Sequence, residues 1–134
     1  MPTTNLEIVR EAYEAWSQGD LDAALDKFAA DVIWQMAGVF PGIEPVYRGP
    51  EGVRRFSADF REPWESLTVE VGELAEIDEH RVLATVRFRG RGRGSGVETT
   101  AEFPQIWTLK DGSVVHLQSF ADRSQALEAA GLPR

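Results

Sequence analysis

One amide interrupts an otherwise apolar row of side chains in the last third of the chain. From Val97 to Leu109, alternate residues are almost all apolar, and Gln105 is the single amide among them. Such alternation is typical of a strand with one buried face. A buried amide that lacks a hydrogen-bond partner costs about 1–3 kcal/mol. We therefore predict that this face lines a cavity and that Gln105 offers its amide to whatever the cavity holds.

Three further side chains on or after this strand carry groups that can move protons. Glu102 precedes Gln105 on the strand, while His116 and Asp122 follow it in the sequence. A positioned carboxylate or imidazole can act as a general acid or base, so Gln105, His116 and Asp122 form the candidate catalytic set, with Glu102 as a further acid. Both alternating rows of residues 114–121 are mixed enough to be buried. The pattern therefore does not decide whether His116 faces the cavity or the outside.

The candidate ligand-binding set consists mainly of large aromatic side chains spread along the chain. An aromatic lining suits a hydrophobic or polycyclic ligand, although the same residues are also those of an ordinary core. The set comprises Tyr13, Trp16, Trp34, Met36, Phe56, Phe60, Trp64, Phe88, Phe103, Trp107 and Ser119.

Length and charge narrow the class of protein. A chain of 134 residues is expected to form one domain, spanning residues 1–134, around one core. Acidic residues number 22 against 14 basic ones, and the net charge of −8 argues against nucleic acid or an anionic membrane as partner. The sequence contains no apolar run of about 20 residues and no signal-peptide core, so we expect a soluble cytoplasmic protein.

Cysteine and histidine content limits the chemistry further. Without cysteine the chain has no thiol nucleophile and no disulfide. His80 and His116 are its two histidines, so zinc would need an unusual set of carboxylate ligands. We expect neither a metal nor a cofactor. The glycines and arginines of residues 87–96 do not have the spacing of a phosphate-binding loop, and they predict a bulged hairpin instead.

Helical spacing predicts three helices in the first half of the chain and one at its end. Thr4 begins a capping box before the first helix, and Asp20 caps a second helix whose apolar stripe reaches Phe28. A third helix begins at Gly49-Pro50-Glu51, where proline occupies the first turn. Asp122 caps the last, short helix.

Alternating apolar residues predict the strands of a sheet. The predicted strands are Val32–Met36, Leu67–Ile77, Val82–Arg89, Val97–Leu109 and Val114–Ala121. The last four are joined by short turns and predict an antiparallel meander. The apolar loop from Ala37 to Arg48 is predicted to act as a lid or to contact another subunit. The order of elements predicts an α+β fold with the helices on one face of a curved sheet.

Four segments resemble the SnoaL-like branch of the nuclear transport factor 2-like superfamily. They are the helical hairpin with Gly19-Asp20, Phe28–Val32, Tyr47–Gly52 and Trp107–Gly112. The resemblance covers nearly the whole chain. It implies a cone-shaped barrel of curved antiparallel sheet, closed by N-terminal helices around a deep apolar pocket, and commonly a homodimer across the outer sheet face. Its members include polyketide cyclases, ketosteroid isomerases, epoxide hydrolases, dehydratases and non-catalytic binding domains, so it implies no single chemistry.

The ketosteroid isomerase pattern carries over to this chain only in part. Where that pattern has a general-base carboxylate and an oxyanion-holding acid, this sequence has Met36 and Gln105. Methionine cannot take a proton, whereas an amide can donate a hydrogen bond to a carbonyl or an oxyanion. The resemblance also implies that Ser119 faces the pocket, while His116, Gln118 and Phe120 lie on the outer face. The Asp-Arg-Asp set of the epoxide hydrolases has no evident equivalent here.

These observations predict a domain that binds a small apolar molecule in a deep hydrophobic pocket. The molecule carries a carbonyl or hydroxyl group, which Gln105 polarises, and a polycyclic body is one form that it can take. Acid/base chemistry of the isomerase, cyclase or dehydratase type is one extension of this function. A non-catalytic ligand carrier, a dimerisation module and an epoxide-hydrolase-like hydrolase remain as alternatives.

Overall fold

The computed structural model describes residues 4–36 and 43–132, which form a curved sheet and its covering helices. The helices are Asn5–Ser17 (α1), Leu21–Leu25 (α2), Gly49–Arg61 (α3) and Arg123–Ala130 (α4). The strands are Phe28–Gln35 (β1), Val46–Arg48 (β2), Trp64–Glu76 (β3), Arg81–Gly92 (β4), Glu98–Lys110 (β5) and Ser113–Ser119 (β6). The predicted α+β class is confirmed. None of the helices in this part of the chain is long and apolar enough to cross a membrane.

Three helices begin where the sequence predicts them, because each has a side-chain cap. In α1, the Glu7 amide donates to Thr4 Oγ1 at 3.2 Å. In α2, the Ala23 amide donates to Asp20 Oδ1 at 3.1 Å, and in α4 the Gln125 amide donates to Asp122 Oδ1 at 2.9 Å. Each cap satisfies an amide that has no partner within its own helix, which is worth about 1 kcal/mol. At the other end of α4, Gly131 takes the left-handed conformation, with φ of 75°, that ends many helices.

Strands β3 to β6 form the predicted antiparallel meander, and the order of strands in the sheet is β2-β1-β6-β5-β4-β3. The turn between β5 and β6 contains Asp111 and Gly112, both with positive φ, as a tight hairpin requires. Gln105 of β5 lies opposite Ala84 of β4 and Ser119 of β6. Their side chains therefore point to the same face of the sheet.

The first strand starts earlier than predicted and pairs with a strand that the sequence did not indicate. Helical spacing assigns Phe28 to the second helix, but α2 ends at Leu25 and β1 begins at Phe28. β1 runs parallel to β6, with Trp34 opposite Leu117. Pairing with a strand so distant in sequence overrides the local periodicity, which carries no information about it.

Part of the loop predicted for residues 37–48 is a strand that packs beside β1. Residues 37–42 of that prediction lie outside the described residues, whereas Val46–Arg48 forms β2. Tyr47 is fully buried, and its hydroxyl donates to Asp59 Oδ2 at 2.7 Å and accepts from the Glu44 amide at 3.0 Å. Burial raises the pKa of Tyr47 to about 12, so the hydroxyl is protonated at neutral pH. These two bonds attach the segment before β2 to α3.

Apolar side chains pack on both faces of the sheet. The inner face, covered by α1 and α3, carries the main core, which includes the fully buried Val9, Val32 and Leu117. A second cluster on the outer face lies under α4 and consists of Leu83, Ile106, Phe120, Ala126 and Ala130. The expectation that all helices share one face is therefore wrong for α4. The side chains of β4 and β5 that point to the outer face, such as Leu83 and Ile106, are apolar near α4, and this helix shields them from water.

Gly90 lets an aromatic ring lie directly on strand β4. A Cβ atom at this position would come within 2.7 Å of Trp64 Cε3 and within 2.8 Å of Phe88 Cζ. The rings of Trp64 and Phe88 meet edge to face, with centroids 4.9 Å apart. A side chain at Gly90 would therefore displace one of these rings.

We predict that Gly90→Ala lowers the free energy of unfolding by about 1–3 kcal/mol, because the added methyl group overpacks the site of Trp64. Urea denaturation followed by circular dichroism measures the loss. Gly72→Ala is the matched control, since a Cβ at that strand position would lie at an ordinary 3.5 Å from Arg87. Equal stability of the two variants would contradict the packing argument.

Candidate functional site

A cavity of about 50 Å³ lies between the inner face of the sheet and helices α1 and α3. Its lining is mainly aromatic and includes three tryptophans. The lining residues are Ala12, Tyr13, Trp16, Ala24, Phe28, Trp34, Phe56, Phe60, Val69, Val86, Phe103, Gln105 and Trp107. Among the residues that the structure describes, this lining contains no carboxylate, imidazole, ammonium or guanidinium group.

The aromatic rings of the lining pack against one another around Trp34. The Trp34 ring lies 4.6 Å from Phe56, 5.9 Å from Phe28 and 6.2 Å from Trp107, measured between centroids. Phe28 also stacks on Trp107 at 5.8 Å. Tilted and offset contacts of this kind are the favoured arrangements of aromatic pairs. They hold the lining in place without a ligand.

Gln105 forms the polar end of the cavity and is 4 % exposed. Its Oε1 atom accepts hydrogen bonds from the Tyr13 hydroxyl and from Trp107 Nε1, the latter at 3.2 Å. Its Nε2 atom donates to Ser119 Oγ at 3.0 Å. An indole nitrogen can only donate, so the atom of Gln105 that faces Trp107 must be the oxygen. The orientation of the amide is thereby fixed.

Met36 and Ser119 extend this polar network towards β1. Ser119 Oγ donates to Met36 Sδ at 3.4 Å, and Trp34 Nε1 donates to the same sulfur at 2.9 Å. A thioether is a weak acceptor, but it is the partner that these two buried donors have. Met36 is therefore a hydrogen-bond acceptor and, contrary to its prediction as a ligand-binding residue, is not part of the cavity lining.

Tyr13 brings helix α1 into the same network. Its oxygen also lies 3.3 Å from Trp107 Nε1, so the indole hydrogen is shared between Tyr13 and Gln105. Burial raises the pKa of Tyr13 far above its ordinary value. The hydroxyl consequently stays protonated at neutral pH, where it acts as a donor and not as a base.

Trp16 forms the part of the lining between α1 and α3. Its indole nitrogen donates to Ser57 Oγ of α3 at 3.0 Å, and its ring meets the edge of Phe60 at 6.1 Å. Ser57 is 5 % exposed, whereas Trp16 is half-buried. One side of this tryptophan thus faces the cavity, and the residue also reaches the protein surface.

The structure places His116 on the opposite face of the sheet from the cavity. His116 alternates with the inward Leu117 and lies opposite Thr108 of β5. Its Nε2 atom contacts Gln35 Oε1, and burial lowers the pKa of its imidazole. The ring is therefore neutral at neutral pH, and the sheet separates it from Gln105.

The two acidic candidates also lie outside the cavity. Asp122 is exposed and caps α4. Glu102 is exposed and pairs with Arg87 at 3.1 Å. The structure therefore does not bring Asp122 or Glu102 together with Gln105.

Two aromatic candidates lie behind the lining and not on it. Phe88 packs against Phe60 at 5.5 Å between centroids, and Trp64 packs against Phe88 in turn. They support the cavity wall from the side of β4. Sequence reasoning in turn missed Ala12, Ala24, Phe28, Val69 and Val86. The parity of β3 and β4 could have identified the two valines, whereas Phe28 was hidden by its assignment to a helix.

The sequence matches the family of SnoaL-like domains over residues 9–117, which is most of the chain. The protein belongs to this family. The predicted resemblance is thereby confirmed, and the curved sheet with its helices is the cone of the nuclear transport factor 2-like superfamily, to which SnoaL-like domains belong. No curated protein sequence matches the chain.

Solved structures show how widely the SnoaL-like fold is shared. TerC, co-crystallised with polyporic acid, is 20 % identical with a TM-score of 0.78, over 96 % of this chain and 99 % of that chain. A nuclear transport factor 2-like protein of Burkholderia thailandensis is 24 % identical with a TM-score of 0.81, over 98 % and 100 %. A ketosteroid isomerase-like protein of Catenulispora acidiphila, in complex with trimethylamine, is 21 % identical with a TM-score of 0.73, over 98 % and 96 %. At these identities the likeness shows the fold alone.

We predict that Gln105→Leu lowers the free energy of unfolding of this SnoaL-like domain by about 1–3 kcal/mol, because Tyr13 and Trp107 lose the acceptor that they share. Tyr13→Phe should cost about 1 kcal/mol, since Trp107 still satisfies the Gln105 oxygen. The double variant should lose less unfolding free energy than the two single variants lose together, because each single variant already lacks the Tyr13–Gln105 hydrogen bond. Urea denaturation of the four proteins gives the coupling energy, and strictly additive losses would contradict the network.

Proposed function

We propose that this SnoaL-like domain binds a small apolar molecule that carries a hydrogen-bond acceptor oxygen, such as a carbonyl or a hydroxyl group. The observation that supports the proposal is an aromatic cavity that ends in two donors, the Tyr13 hydroxyl and the Trp107 indole, which share the Gln105 oxygen as acceptor. Apolar walls bind the body of a ligand, and a few placed polar groups fix its orientation.

The hydrogen bonds at the polar end favour an acceptor over a donor as ligand. The Tyr13 hydroxyl and the Trp107 indole both donate to one oxygen of Gln105, and the indole hydrogen is shared with the Tyr13 oxygen. A ligand oxygen can therefore take over one of these donors while Gln105 keeps the other. A ligand N–H or O–H donor would instead compete for an oxygen that already accepts two hydrogen bonds.

This proposal distinguishes between the two ligand types seen in proteins of the same fold. TerC was co-crystallised with polyporic acid, and the Catenulispora acidiphila protein is in complex with trimethylamine. Aromatic faces can attract a cation, but an ammonium buried here would lack an anionic partner within the described lining. We propose that oxygen-bearing apolar molecules are the ligand class of this chain.

The same lining limits the chemistry that we assign. Isomerase, cyclase and dehydratase mechanisms need a group that accepts a proton, and such a group is absent from the lining as far as the structure describes it. The donors of Tyr13 and Trp107 can polarise a carbonyl or stabilise an oxyanion. We therefore propose binding with polarisation of the ligand oxygen as the function, and not proton transfer by a carboxylate or a histidine.

We predict that 1-indanone binds more tightly than indane, its hydrocarbon analogue, and that Tyr13→Phe removes most of this preference. A hydrogen bond to the ketone oxygen is worth about 1–3 kcal/mol in a buried site, which corresponds to about 5- to 150-fold in affinity. Isothermal titration calorimetry with each compound measures the difference.

Tyr47→Phe is the matched control for this experiment, because Tyr47 bonds to Asp59 and does not line the cavity. It should leave both affinities unchanged. Equal binding of ketone and hydrocarbon to the wild-type protein would contradict the role of the polar end. Absence of binding by both compounds would contradict the pocket itself.

We also propose the homodimer that the family resemblance implies, formed through the outer face of β1 and β6. Ile33, Gln35, His116 and Gln118 are half-buried on this face, beside the part that α4 covers. Phe120 also lies on the outer face, as the resemblance implies, but it packs under α4 within its own chain. A variant of Phe120 would therefore disturb folding as well as association.

We expect light scattering to give twice the chain mass for the wild-type protein and the single chain mass for Ile33→Glu, because burying a new carboxylate in an interface is costly. Thr68→Glu, on exposed β3 of the same sheet, is the control and should stay dimeric. A single chain mass for the wild-type protein would contradict the dimer.

A further inference from the structure

Arg61 lies at the outer side of Trp16, on the last turn of α3. Its guanidinium carbon is 4.8 Å from the centroid of the Trp16 ring, and its Nη2 atom is 3.5 Å from the Trp16 carbonyl oxygen. Stacking of a guanidinium on an indole is a favourable cation–π contact. Trp16 therefore lies between the cavity and a positive charge at the surface.

Arg61 differs from its neighbours on the same helix in its electrostatic partners. Arg54 pairs with Asp22 at 2.7 Å, and Arg55 pairs with Glu44 at 3.1 Å. Arg61 forms no ion pair with any carboxylate in residues 4–36 and 43–132. Its positive charge beside the pocket is therefore not neutralised by a carboxylate within this part of the chain, and a guanidinium in that state can pair with an anionic group.

The size of the cavity indicates that part of its wall must move for a ligand to enter. The cavity holds about 50 Å³, whereas a cavity that binds benzene measures about 150 Å³. Phe56, Phe60 and Trp107 are buried in the packed core. Trp16 is half-buried and is held by the hydrogen bond to Ser57, by the edge contact with Phe60 and by Arg61. Tyr13, Phe28 and Val69 are also half-buried, but Trp16 is the one of these four that stacks against a surface cation.

We propose that the pocket opens at Trp16 and that Arg61 binds an acidic group of the ligand there. The ligand class is then an apolar ring system with an acceptor oxygen at one end and a carboxylate, or a comparable oxyanion, at the other. The planar fork of a guanidinium matches a carboxylate in two parallel hydrogen bonds. Stacking on Trp16 occupies the face of the guanidinium, and the long contact of Nη2 with the Trp16 carbonyl leaves further N–H groups on its edge to form such bonds. This inference rests on the proposed pocket and specifies its ligand.

The test compares 3-oxoindane-1-carboxylic acid with its methyl ester, which has the same ring and ketone without the charge. We expect the wild-type protein to bind the acid about tenfold more tightly than the ester, the low end for a charge-assisted hydrogen bond near solvent. Arg61→Gln should abolish this preference, so that the variant binds the acid and the ester with similar affinity. Isothermal titration calorimetry measures both, and added salt should weaken only the acid.

Two further variants separate an anion-binding role of Arg61 from a purely structural one. Arg54→Gln removes a guanidinium from the same helix, away from Trp16, and should preserve the preference for the acid. Ser57→Ala removes the hydrogen bond that holds Trp16 and should raise the association rate of acid and ester alike, measured by stopped-flow tryptophan fluorescence.

Three results would overturn the proposal in distinguishable ways. If Arg61→Gln weakens acid and ester equally, Arg61 only holds Trp16 in place. If Ser57→Ala leaves both association rates unchanged, Trp16 is not the opening. If the wild-type protein binds the ester and 1-indanone but not the acid, the ligand class is neutral and the pocket proposal stands without this addition. Failure of all these compounds to bind would contradict the pocket as well.

Discussion

A buried amide is the constraint on which the interior of this domain depends. The side chain of Gln105 lies among aromatic rings, where a polar group without partners would be strongly unfavourable. Two of its partners come from other elements, Tyr13 from α1 and Ser119 from β6. Satisfying one side chain therefore fixes the position of a helix and two strands relative to each other. The aromatic lining then packs around the hydrogen-bonded side chain of Gln105.

The local features of the fold could be predicted from sequence, whereas the long-range ones could not. Helix caps and the strand turns depend on residues a few positions apart. The row containing Gln105 is buried as predicted from Phe103 to Leu109, whereas Val97 and Thr99 at its start are exposed, so that end of the prediction is wrong. The parallel pairing of β1 with β6 and the position of α4 on the outer face depend on contacts across most of the chain. Tyr13 and Gln105 are 92 residues apart, so no local pattern joins them.

The candidate site separates what the fold provides from what individual residues provide. The fold is shared by proteins that are as little as a fifth identical to this chain in sequence. The chemistry of each site depends on the few polar side chains that point inward. Here these are neutral amide, hydroxyl and indole groups, while His116 and Asp122 lie on the far side of the sheet or at its end. An interior built from neutral groups keeps its hydrogen bonds over a wide range of pH.

The parallel pairing of β1 with β6 has a consequence for the order in which the domain assembles. It joins segments such as those of Gln35 and His116, which are 81 residues apart, while β3 to β6 form from neighbouring hairpins. Contacts across so long a segment carry a large loop-closure cost, so we expect the meander to form early and the walls of the cavity late. Interactions that form after the transition state slow unfolding but do not speed folding. A bound ligand should accordingly lengthen the lifetime of the folded domain without helping it to fold.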